Sequence, residues 1–66
     1  MNQEKVIQVI KQSMEEMGVK GIFLANSIGI SYTFMKQVLN GERNFSPETL
    51  ERATIFFNRY PYFFNI

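Results

Sequence analysis

The chain has 66 residues, 45% of them apolar and 15% aromatic, with a net charge of +1 and no cysteine. That is room for one domain, whose core must come from well-packed side chains without disulfide or zinc staples, helped where needed by a second subunit. His, Cys, Asp and Trp are all missing, and the six Glu residues lie in no phosphate-loop or metal-ligand spacing, so no catalytic residue, no cofactor and no metal is expected.

In chain order, Val6, Ile7, Ile10, Met14 and Met17 form a helical stripe over residues 2–17. Asn2 is the expected N-cap, with Glu4 in the first turn and Gly18 as the residue that ends the helix. A second, short helix is expected from residue 20 or 21 to 28. Leu24, Ala25 and Ile28 face inward, Phe23 is partly buried, and Gly29 breaks the helix. A third is expected from Ser31, its N-cap, to Asn40, burying Met35, Val38 and Leu39 and ending at Gly41. Ser46-Pro47 is the usual start of a helix, with Ser as cap and Pro in its first turn. This fourth helix runs to about Asn58 and is expected to bury Leu50, Ala53, Ile55 and one of Phe56 and Phe57. Pro61 ends it. The tail over residues 59–66 reads equally as a fifth helix or a strand. The fold class expected is therefore all-α, a bundle of four or five helices forming one domain over residues 1–66.

The two short helices around Gly29 are the informative object. Their lengths and the glycine between them predict a helix-turn-helix over residues 21–40. Ala25 is small enough for close helix approach, and Gly29 can take the left-handed backbone of a tight turn. Residues 23–31, then Met35 to Arg43 with its Asn40-Gly41 pair, then Ser46-Pro47-Glu48-Thr49-Leu50, together resemble the phage repressor/Cro-type helix-turn-helix family, the lambda-repressor-like DNA-binding domain. The resemblance covers about residues 3–58.

What it implies is a sequence-specific transcriptional regulator, a repressor that binds a palindromic operator in double-stranded DNA as a homodimer. The helix after Ser31 would lie in the major groove. The family's base-reading positions match Tyr32, Thr33, Phe34, Lys36 and Gln37. Gln37 suits adenine, Lys36 suits guanine or phosphate, Thr33 suits phosphate or a thymine methyl, and Phe34 suits a thymine methyl. At Tyr32 the family often carries Gln, and at Phe34 a small or polar residue. Lys20, Gly21, Asn40, Arg43 and Asn44 are the expected contacts to the DNA backbone. Arg52 and Arg59 read instead as solvated helix charges.

Charge agrees in sign. Residues 20–45 hold a net +2 while the rest of the chain is −1. The aromatics point to self-association. Six of ten lie in the last eleven residues, more than one small core absorbs, so Tyr60, Tyr62, Phe63, Phe64 and Ile66 are the expected dimer interface. The alternative is a different class: a protein-binding module on the same scaffold, which uses the tail or the recognition helix to inhibit another regulator or a phage-defence protein. No apolar run approaches the ~20 residues of a membrane span. Glu4, Gln8 and Gln12 do not suit a signal peptide. A cytoplasmic location, in a bacterium or encoded by a phage, is expected, with no membrane contact.

Overall fold

Four helices make up the described part of a computed structural model, residues 1–61: α1 (Gln3–Glu16), α2 (Gly21–Ser27), α3 (Tyr32–Leu39) and α4 (Pro47–Arg59). Each start is set locally. The Asn2 side chain accepts from the Lys5 N–H, that of Ser31 from Phe34 and that of Ser46 from Thr49, so three of the four helices carry a side-chain N-cap. Two of the ends are built alike. At the end of α2 the Gly29 N–H donates to the Asn26 carbonyl and the Ile30 N–H to that of Ala25. At the end of α3 Gly41 donates to Val38 and Glu42 to Gln37. Both are Schellman closures, and both turn on a glycine at positive φ, +79° and +82°.

The core gathers around α1, which packs against all three other helices, while α2 packs on α3. Val6, Val9, Ile10 and Ser13 lie on its buried face, spaced as one helical stripe. Leu24, Ala25 and Ile28 from α2, Met35 and Val38 from α3, Ala53 and Phe57 from α4, and Phe45 from the loop complete it. The buried polar residues Ser13 and Thr49 are internally satisfied. Ser13 Oγ donates to the Val9 carbonyl at 2.7 Å, and the Thr49 hydroxyl meets that of Ser46 at 2.9 Å. Gln3 ties the α3–α4 loop to α1: its Oε1 accepts from the Phe45 N–H and its Nε2 donates to Asn44 Oδ1, both at 2.7 Å.

Some inward faces differ from those read in the sequence. Met17 is exposed although it continues the angular face of Val6 and Ser13, because it is the C-cap of α1, past the last helical residue and the last buried position. Ile55 is 54% exposed. With 100° per residue, Ile55 stands about 200° from Ala53 and cannot share its face. Thr49, Ala53 and Phe57, spaced by four, form that face instead. Phe23, expected to be partly buried, is 53% exposed, and Leu39 and Leu50, expected to face inward, are half-buried. The fourth helix continues one residue beyond Asn58, to Arg59. Tyr62, Phe63, Phe64 and Ile66, with the question of a fifth helix or a strand, lie outside the described residues. Among the described residues no helix is long and apolar enough to cross a membrane.

Candidate functional site

The outer surface of α3 is set by how tightly its inner surface is held. Met35 and Val38 are buried, three apart, and fix the rotation of the helix about its axis. Ser31 caps the first turn and Gly41 closes the last. Thr33, Lys36 and Asn40 are consequently exposed, and Gln37 is half-buried at the edge. No carboxylate stands on the helix; the nearest in sequence is Glu42, after the closing glycine.

The two aromatics of α3 have separate surroundings. Phe34 is half-buried and packs on the core, its ring 6.4 Å from that of Phe45. The Arg43 guanidinium lies 6.0 Å from the Phe34 ring centre, so the aromatic holds that exposed cation in place. Tyr32 leans on the start of α2. A Cβ built on Gly21 would come within 2.5 Å of the Tyr32 ring and close to the ends of Met14 and Met35. Gly21 is therefore buried for a packing reason: the Tyr32 ring occupies the space of a side chain there. On its open side the ring meets Lys36, whose Nζ is 5.5 Å from the ring centre. Gly21, Tyr32 and Lys36 thus form one stacked unit joining the beginnings of α2 and α3.

Around this helix the remaining expected positions spread unevenly. Asn40 caps the end of α3. Arg43 and Asn44 are exposed on the following loop, Asn44 anchored by Gln3. Lys20 is exposed at the N-cap of α2 and makes no side-chain cap. Lys20, Lys36 and Arg43 supply the cations of this region. Tyr60, of the expected dimer contacts, is 40% exposed and edges Phe56 with ring centres 5.4 Å apart.

Arg52 has a role that sequence reasoning misses. Its Nε donates to the Ile28 carbonyl at 2.9 Å and its Nη2 to Thr49 Oγ1 at 3.3 Å. Ile28 is the C-cap of α2, so a guanidinium from α4 satisfies a carbonyl that the helix end leaves without an intrahelical partner. A Cβ on Gly29 would lie 3.0 Å from that Nε. The glycine thus serves twice, allowing the positive φ and the close approach of Arg52. This clamp fixes the turn between α2 and α3, and with it the direction in which α3 leaves. The one sequence signal for it is a cation in a helix that starts at Ser46-Pro47. Its partner carbonyl is 24 residues away, beyond any local pattern.

No family model, curated protein or solved structure matches this chain.

Proposed function

We propose that the chain is a sequence-specific DNA-binding regulator, a Cro-like repressor that uses α2, the Gly29 turn and α3 as a helix-turn-helix and binds a palindromic operator as a dimer. The observation that carries this reading is the outward face of α3: Thr33, Lys36, Gln37 and Asn40, free of carboxylates, on a short helix locked at both ends. An α-helix of this kind fits the major groove of B-DNA, where its side chains can reach base edges. Gln37 is the adenine reader, with an amide that can both accept and donate. Lys36 donates to guanine or to phosphate, its ammonium group placed 5.5 Å from the centre of the Tyr32 ring. Phe34 is turned toward Phe45, so its part is to hold Arg43 rather than to meet a thymine methyl. Arg43, Asn40, Asn44 and Lys20 flank the helix as phosphate contacts.

Three cations neutralise few phosphates, and a monomer would bind weakly. A twofold dimer doubles the number and sets two α3 helices about one turn of the duplex apart. Control of such a regulator would come from its own concentration or from a partner protein.

Selection of genome fragments by the purified protein at low salt tests the reading. An enriched palindromic sequence is expected, and Gln37→Ala should cost about 1–3 kcal/mol of discrimination at one base pair. Recovery of no enriched sequence would refute it. One observation favours the second reading, a protein-binding module: Ile22 and Phe23, adjacent on α2, are each more than half exposed. Under that reading the nuclease-treated protein retains a specific partner while showing no sequence preference on DNA.

A further inference from the structure

The outer face of α4 carries an exposed apolar residue between opposite charges. Ile55, 54% exposed, stands about 180° from the buried stripe at the middle of the helix. Glu51 lies four residues before it and Arg59 four residues after, one turn to either side, and both are exposed. Glu48 lies a further turn toward the start, also exposed. The face therefore reads acidic, acidic, apolar, basic along the axis. A pattern with opposite charges equally spaced about an apolar centre is complementary to its own antiparallel copy.

We propose that a second copy of this chain docks here, with the two α4 helices antiparallel across a twofold axis at Ile55. Ile55 meets its counterpart, Glu51 stands opposite the partner's Arg59, and Arg59 stands opposite the partner's Glu51. Glu48 extends the acidic end toward that same arginine. A twofold interface is isologous, so one pairing always occurs twice. Beside Ile55 a shallow depression of about 210 Å³, lined by Ser27, Arg52, Ile55, Phe56 and Arg59, leaves room for the opposing aliphatic side chain. Parallel packing is disfavoured because it would set Glu51 against Glu51 and Arg59 against Arg59. Tyr60, 40% exposed, edges Phe56, which lines that same depression.

This deepens the dimer invoked for operator binding by naming its surface. Self-association is measured without DNA, so its failure and that of the DNA reading are told apart. The test is a charge swap followed by sedimentation, with circular dichroism reporting the fold. The parent chain should dimerise. Glu51→Arg alone and Arg59→Glu alone should each weaken self-association by about tenfold or more, through like charges brought together. The double variant E51R/R59E should restore it. An equimolar mixture of the two single variants should form a heterodimer, because positions 51 and 59 are then both basic in one chain and both acidic in the other. Ile55→Ser should give a helical monomer. A parent that is monomeric at high concentration overturns the proposal. So does a dimer indifferent to these substitutions, which would place the contact elsewhere, as would single variants that fail to pair when mixed.

Discussion

α3 and α4 both turn an exposed face to solvent, and the two faces are built on different rules. On α3 the outward side chains are hydroxyl, ammonium and amide, with no carboxylate on the helix. On α4 Glu48 and Glu51 precede Ile55 and Arg59 follows it. A face with one sign of charge and several donors suits a large anion whose shape is an extended groove. A face with both signs around an apolar centre suits a copy of itself. Their supports differ as well. α3 is fixed at both ends by a cap and a Schellman closure and is steered from outside by the Arg52 clamp on Ile28. α4 needs no such steering, because Thr49, Ala53 and Phe57 seat it directly on the core. The face proposed to read another molecule thus stands on a helix closed at both ends and clamped at the turn before it.

The largest effect should come from removing what the two faces share. Phe57 is fully buried and, among the described residues, the largest such side chain. Phe57→Ala should cost about 3–5 kcal/mol, enough to threaten the fold of a domain this small. Chemical denaturation should show it, and the DNA binding proposed for α3 and the self-association proposed for α4 should disappear together.

A smaller substitution should separate the faces. Gly29→Ala places a Cβ at φ +79°, 3.0 Å from Arg52 Nε. The left-handed backbone alone costs about 1–2 kcal/mol, and the clamp must shift as well. The chain should remain folded, with a lowered Tm. Affinity for the selected duplex should fall by more than the drop in stability explains, while self-association through α4 is kept. Equal reduction of both activities would show that the Gly29 turn does not steer α3 separately.

Much of this frame is legible in the sequence because it is local. Asn2, Ser31 and Ser46 cap helices within three residues of themselves, and Gly18, Gly29 and Gly41 mark ends that their own backbones require. The polar face of α3 follows from the burial of Met35 and Val38. Long-range facts are not legible. Phe45 sits in a loop and looks like a connector, yet it is buried, with its N–H held by Gln3 across 42 residues. Arg52 looks like a solvated charge because its partner is a backbone carbonyl of another helix. Phe34 stands at a base-reading position, and its half-burial against Phe45 depends on a residue eleven positions away. Ile55 reads as core because it is apolar, although helical period already sets it opposite Ala53. That discrepancy is what makes the α4 face visible, since an isoleucine standing out between Glu51 and Arg59 has no use in the core.

The most direct measurement of the central claim is the affinity for the selected duplex as a function of salt, parent against Lys36→Ala. Log affinity should fall linearly with log salt, and Lys36→Ala should reduce that slope by about one for each phosphate left without its cation, while helicity is unchanged. An affinity that does not depend on salt, or a Lys36→Ala isotherm that superimposes on the parent's at every salt concentration, would contradict the account.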